Sequence, residues 1–175
     1  MARRQQAQVA DWGGPNCGLA IADCGLTTVT NKAFQSAIRN PQSTIEMGDP
    51  HELESHTNEQ LWQLSLESFN TGDYFMTHEY LEELWRRHDG VLSKFYQGLL
   101  QAAVSLYHYG NGNFHGAKLL AKQSTNMLAK LPAQFHGIEL GKFREHYARV
   151  ITPVLDPKPG LKPLAPEEAP KIHAA

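Results

Sequence analysis

The sequence has little of three things on which common protein classes depend: cysteine, clustered positive charge and long hydrophobic runs. Its two cysteines, Cys17 and Cys24, lack the CxxC spacing of a metal or redox site and are too few for a disulfide framework. The sixteen Lys and Arg residues are dispersed and the formal net charge is −2, which disfavours a nucleic-acid partner. The longest span without a charged residue, 95–117, contains Gln97 and Gln101, which a bilayer core would penalise. The composition therefore predicts a soluble protein of a reducing, cytoplasmic compartment, with no nucleic-acid and no membrane partner.

The N-terminal part of the chain shows no sustained hydrophobic period. Residues 1–55 are punctuated by Gly and Pro, so we expect an irregular or disordered segment. Its basic start, MARRQQAQ, is not followed by the apolar run of a signal peptide. There are two alternatives. The segment is an organellar transit segment, which would place the protein in an organellar stroma, or the start is misassigned and Met47 is the true one.

Helical periodicity begins at Thr57, which forms a predicted capping box with Gln60. Apolar residues at helical spacing, interrupted by short Gly-containing turns, predict five helices within a domain spanning 56–155. Short turns favour antiparallel neighbours, so the predicted fold class is all-α, a compact antiparallel bundle of about five helices. We expect the last helix at about 138–151, and the Pro-rich tail, 156–175, to be extended or disordered.

One internal echo gives the predicted bundle a helix-hairpin, repeat-like character. The tripeptide Gly72-Asp73-Tyr74 recurs forty residues later as Gly112-Asn113-Phe114, and each begins the second helix of a pair. This offset is within the range of helical repeats, although solenoids usually need three or more units. The echo makes a non-enzymatic interaction module an alternative to an enzyme.

The stretch FNTGDYFMTHEYLEELW, 69–85, places polar residues inside an apolar helix stripe. At about 100° per residue, His78 and Glu82 fall among aromatic residues, whereas Glu79 and Glu83 fall on the side where a solvated face is expected. A second polar stripe runs along the next helix and contains Gln97, Gln101, Ser105 and His108. Buried polar groups cost about 1–3 kcal/mol each unless they are paired. We therefore expect the two stripes to face each other.

Three residues of these stripes, His78, Glu82 and His108, are candidate ligands for a divalent metal such as Zn, Mn or Fe. Two His and one carboxylate leave a position for water, which suits hydrolysis, and Gln101 would orient a water or a substrate carbonyl. Glu79 occupies the general-base position of an HExxH motif, although Glu82 replaces the second His and Glu79 lies about 100° from His78. The alternatives are a hydrogen-bond network that binds nothing and a ligand pocket without metal.

The same assignment predicts different costs for two neighbouring carboxylates. If Glu82 is buried and paired, Glu82→Ala should destabilise the fold by about 3–5 kcal/mol, because removing one partner strands the other. Glu83→Ala on a solvated face should cost little.

The stretch 69–85 followed by FYQGLLQAAVSLYHYGNGNFHGAKLL resembles the uncharacterised family filed as domain of unknown function 309. The elements G-x-Y-F-x-x-H-E-x-x-E-x-x-W and Y-Q-G-x-x-Q-x-A-x-x-x-x-H occur in the family's order, and the resemblance covers about residues 61–151. It implies a compact all-helical domain of a kind often labelled a predicted metal-dependent hydrolase. The family's motif positions fall here on His78, Glu79, Glu82, Trp85, Gln101 and His108. The resemblance implies no particular substrate. We expect the partner to be a small molecule or a protein, and a homo-oligomer is an open alternative.

Overall fold

The structure, a computed structural model, describes residue 53 and residues 55–175, so the predicted irregular segment 1–55 lies almost entirely outside the described residues. Five helices follow one another: α1 Asn58–Thr71, α2 Tyr74–Arg87, α3 Gly90–Gly110, α4 Phe114–Leu128 and α5 Leu140–Leu155. Each packs mainly on its neighbours in the chain, and together they form a compact bundle. The predicted all-α class is confirmed.

The two hairpin turns α1–α2 and α3–α4 have the same construction. Gly72 and Gly112 adopt positive φ values of 89° and 73°, which only glycine reaches without strain. The next residue caps the following helix through its side chain: Asp73 accepts from the backbone N–H of Met76 at 3.1 Å, and Asn113 accepts from that of Gly116 at 3.0 Å. The forty-residue echo is therefore a repeated structural turn.

Helix α3 lies at the centre of the bundle and is buried along most of its length. Trp62 of α1 packs on the rings of Phe95 and Tyr96, with centroids 5.6 and 5.9 Å apart. On another side, the Ser105 and Tyr147 hydroxyls hydrogen-bond at 2.6 Å and join α3 to α5. A helix with aromatic neighbours and few charges is expected to fill such a central position.

The segment after α5, for which we predict an extended or disordered chain, contacts the bundle. Asn70 of α1 donates to the Ile172 carbonyl at 2.8 Å, and Ile172 is only 5% exposed within the main hydrophobic core. Leu164 lies against a smaller core cluster that contains Tyr109 and Val154. The one helical turn of this segment is a 3₁₀ helix at Pro166–Glu168, since the prolines disfavour a longer helix. The aliphatic residues of the segment still gain from burial against the bundle.

Two smaller points concern helix lengths. Helix α5 runs to Leu155 with Pro153 inside it, beyond the predicted end at Ile151, because a proline in the last turn removes only one backbone donor. Among the helices of the described part of the chain, none combines the length and the hydropathy needed to cross a bilayer.

Candidate metal site on helix α2

The residues His78, Glu79 and Glu82 bring three ligand atoms to one place on α2. One nitrogen of His78 and one oxygen from each carboxylate lie within 4.8 Å of one another. His78 Nδ1 is 3.1 Å from Glu79 Oε1, and His78 Nε2 is 3.5 Å from Glu82 Oε2. His78 is partly buried, whereas the two carboxylates are about one-third exposed. The group is therefore reachable from solvent and could hold a metal ion.

The charges of this group allow two chemical states. Without a metal, the His78 ring lies between the two carboxylates, with one nitrogen close to an oxygen of each, as a local network of polar contacts. With a metal, one neutral imidazole nitrogen and two carboxylates would supply one nitrogen and two oxygen ligands and neutralise a divalent charge. Only the second state leaves coordination positions for other molecules.

Tyr74 lies one helical turn before His78 on the same side of α2, since residues four apart are neighbours on a helix surface. Its ring packs edge-on against Phe69 at 5.6 Å, and burial raises the pKa of its hydroxyl to about 12. The hydroxyl is buried and has no hydrogen-bond partner among the described residues. Tyr74 therefore brings a neutral phenol with an unused donor to the helix turn before His78.

Two further buried polar atoms without a partner in the described part of the chain are on α3: Oε1 of Gln101 and Nε2 of His108. Gln101 is 2% exposed and His108 is 6% exposed, so the interior position predicted for both is correct. They are seven residues apart on one face of the helix. Leaving such groups unpaired costs about 1–3 kcal/mol each, which makes them candidates to bind a polar molecule or water.

The hydrogen bonding of His108 argues against its predicted role as a metal ligand. Asn113 Oδ1 accepts from the Gly116 N–H, so the Asn113 amide must present its NH₂ to His108 Nδ1, 3.2 Å away. Burial lowers the pKa of His108 and favours the neutral ring. Nδ1 is then the acceptor and Nε2 carries the proton, so Nε2 is a hydrogen-bond donor. His108 is also absent from the group of three ligand atoms formed by His78, Glu79 and Glu82.

Glu83 is buried, so the expectation that it lies on a solvated face is wrong. It is 8% exposed, whereas the side chain of Glu82 is 35% exposed. Burial disfavours the charged carboxylate, but hydrogen bonds and charge from Arg87 and Arg86 outweigh this effect and lower the pKa of Glu83. The direction of Cβ on the helix does not indicate this burial, because it takes no account of the long Arg86 and Arg87 side chains that pair with the carboxylate.

Two contributors to these sites were missed or misassigned from the sequence. Glu79 lies about 100° from His78 on the helix, yet its flexible side chain reaches back to the imidazole, which makes it a ligand candidate rather than a distant base. The sequence places Asn113 in the forty-residue echo at the start of a helix but does not indicate that it is the partner of His108. The sequence feature that could have indicated this contact is the five-residue separation of Asn113 from His108 across a tight turn.

These observations define a small helical bundle with a candidate three-residue metal site. Residues 62–120 match the model of the family described as "Domain of unknown function (DUF309)", which confirms the resemblance for the segment that carries the site.

Two bacterial relatives share part of this chain. An uncharacterized protein of Aquifex aeolicus (strain VF5) is 35% identical over 85 residues, which is 48% of this chain and 26% of that protein. The uncharacterized protein YpuF of Bacillus subtilis (strain 168) is 42% identical over 59 residues, which is 33% of this chain and 34% of YpuF. The chain thus spans about a third or less of the length of these relatives. No solved structure gives a match.

Proposed function

We propose that the protein binds a divalent metal ion through His78, Glu79 and Glu82 and acts as a metal-dependent hydrolase. The observation that carries the proposal is the convergence of one imidazole nitrogen and two carboxylate oxygens within 4.8 Å. Zn, Mn and Fe accept this mixture of ligands. A metal with open positions supplies Lewis-acid activation of a water or of a substrate carbonyl or phosphoryl oxygen.

The buried polar atoms around α2 and α3 support a substrate with several oxygen atoms. Tyr74 and His108 each have an unused donor and Gln101 an unused acceptor among the described residues. A carboxylic ester, an amide or a phosphate ester can meet such groups, and pairing them removes a cost that the free protein carries. In this account Tyr74, Gln101 and His108 position the substrate, and Glu79 is a ligand instead of a general base.

The experiment is a hydrolysis screen with simple esters, amides and phosphate esters. The full chain is assayed after chelation and after re-addition of Zn, Mn or Fe, beside His78→Ala and Tyr74→Phe. We expect metal-dependent turnover that His78→Ala abolishes and that Tyr74→Phe lowers by about 10-fold or more, which corresponds to about 1.4 kcal/mol. Metal binding without turnover of any substrate class would contradict the hydrolase part and leave a metal-binding protein.

A second candidate function, a helical interaction module, is favoured by the repeated hairpin turns at Gly72 and Gly112. Within the described residues, Val91 is the sole large hydrophobic side chain that is mostly exposed. The described residues therefore present no open apolar groove. Apolar contact with a partner would require that a segment covering the core be displaced.

We further propose a cytoplasmic location, on the basis of the sparse, unpatterned cysteines.

A further inference from the structure

Residues 170–175, here called the strap, contact the bundle as an extended peptide. The Asn70 side chain donates to the Ile172 carbonyl and accepts from the Ile172 N–H, both at 2.8 Å. A side-chain amide that pairs with both polar groups of one residue recognises the backbone without regard to sequence. Lys171 adds a hydrogen bond to the Asn70 carbonyl at the end of α1.

The other side of the strap pairs with the backbone that precedes α5. The Glu139 N–H donates to the His173 carbonyl at 2.9 Å, and the Ala175 N–H donates to the Gly137 carbonyl at 3.0 Å. Ile138 and Ala174 form an antiparallel bridge between these bonds. Main-chain pairing of this kind is how proteins add an extended peptide to an existing edge.

One side chain anchors the strap. Ile172 is 5% exposed and joins the main hydrophobic core, between the Asn70 amide and the Ile138 region. A single buried aliphatic residue flanked by backbone hydrogen bonds is a typical arrangement for a bound peptide. The groove is therefore defined by Asn70 on one side and Gly137–Glu139 on the other, with an apolar pocket for Ile172.

We propose that this groove is a peptide-binding site whose ligand is the strap, held within one molecule and exchanged between two copies of the chain. The groove is occupied by the strap of the same molecule. The partner that we infer is a second copy of the chain, because its strap would make the same contacts. Residues 156–160, which connect α5 to the rest of the tail, are all exposed, so this connection can serve as the hinge of such an exchange. Reciprocal exchange of an identical element is a common route to dimers. This inference does not depend on the proposed hydrolase activity.

The first test uses a fluorescent peptide of residues 167–175 and the full chain carrying Ile172→Asp, which disfavours its own strap. We expect saturable binding of the peptide, weakened about 10-fold or more by adding Asn70→Ala, because two hydrogen bonds are lost. Lys130→Ala, at an exposed position on the short stretch after α4, is the matched control and should leave binding unchanged. A folded Ile172→Asp variant that shows no binding would overturn the proposal.

The second test needs no variant and covers the case in which Ile172→Asp does not fold. Amide hydrogen exchange of the wild-type chain should show the N–H groups of Ile172, Glu139 and Ala175 exchanging together, and faster than those in the centre of α3. A labelled peptide 167–175, added in excess, should enter the groove. The rate at which the three amides open should be the same with and without this peptide. Exchange of the three amides only through global unfolding would show that the strap is a fixed part of the core and would overturn the proposal.

Discussion

Glu83 Oε1 accepts a hydrogen bond from Arg87 Nε at 2.7 Å, one turn further along α2. Arg87 also donates to the carbonyl oxygens of His56 and Leu53, at 2.7 and 3.1 Å, and so ties the chain before α1 to α2. Arg86 contacts the second oxygen of Glu83. The buried carboxylate thus holds the guanidinium of Arg87 in the position from which it contacts the segment before α1.

The first prediction is that Glu83→Ala destabilises the fold by about 2–3 kcal/mol, because hydrogen bonds to charged groups contribute roughly 1.5–3 kcal/mol each and Arg87 loses its main partner. Chemical denaturation measures the free energy of unfolding. Glu82→Ala, at a carboxylate that is one-third exposed, is the control and should cost less than about 1 kcal/mol in metal-free buffer. Equal losses in the two variants would disprove the burial difference between neighbouring residues.

The second prediction concerns the proton on His108. Because Asn113 donates to Nδ1, the neutral ring should carry its proton on Nε2 at pH 7. Long-range ¹H–¹⁵N spectra distinguish the two ring nitrogens directly. A protonated Nδ1 with a free Nε2 lone pair would restore His108 as a metal ligand and contradict the hydrogen-bond assignment.

The third prediction is the pH dependence that follows from the same residue. Burial lowers the pKa of His108 below its ordinary value of 6.5, so the unfolded chain takes up a proton in a range where the folded chain does not. Stability should therefore fall as the pH decreases below about 6.5. Denaturation between pH 7.5 and 5.5 should show this slope in the wild type and a smaller slope in His108→Gln. Identical slopes would place His108 in a solvated environment.

The fourth prediction tests the packing of α3 on α4. A Cβ at Gly98 would lie 2.7 Å from Leu128 Cδ2, so Gly98→Ala forces the leucine to move. We expect a net loss of about 1 kcal/mol, since overpacking costs roughly 1–3 kcal/mol and the gain in helix propensity offsets about 1 kcal/mol. Gly110→Ala, whose new Cβ would meet only the Leu164 carbonyl at 3.9 Å, is the control and should be close to neutral in thermal melts. A stabilised Gly98→Ala would contradict the close approach.

Periodicity and turn chemistry were sufficient to predict the fold because they act locally. The caps Thr57, Asp73 and Asn113 and the glycines that end α1 and α3 are visible in the sequence, and the helices follow from them. Short turns then leave few ways to arrange five amphipathic helices.

The sites were only partly predictable because side-chain reach and long-range contacts are not periodic. A helical wheel assigns Glu79 and Glu83 by the direction of Cβ, whereas the structure places their carboxylates by the partners that they find, His78 and Arg87. The packing of Ile172 on Asn70 joins residues about one hundred positions apart, and a Pro-rich composition carries no information about that contact.

The measurement that tests the central claim most directly is metal binding by the wild-type chain and three ligand variants, His78→Ala, Glu79→Gln and Glu82→Gln. Elemental analysis of untagged protein is combined with calorimetric titration of the chelated protein with Zn, Mn and Fe. Glu145→Gln, at an exposed position of α5, is the matched control. The account predicts near-stoichiometric binding that each ligand variant weakens by about 10-fold or more and that Glu145→Gln leaves intact. A folded wild-type chain that binds none of the three metals, or binds them equally well in all variants, would contradict it and leave His78, Glu79 and Glu82 as an ion-pair network.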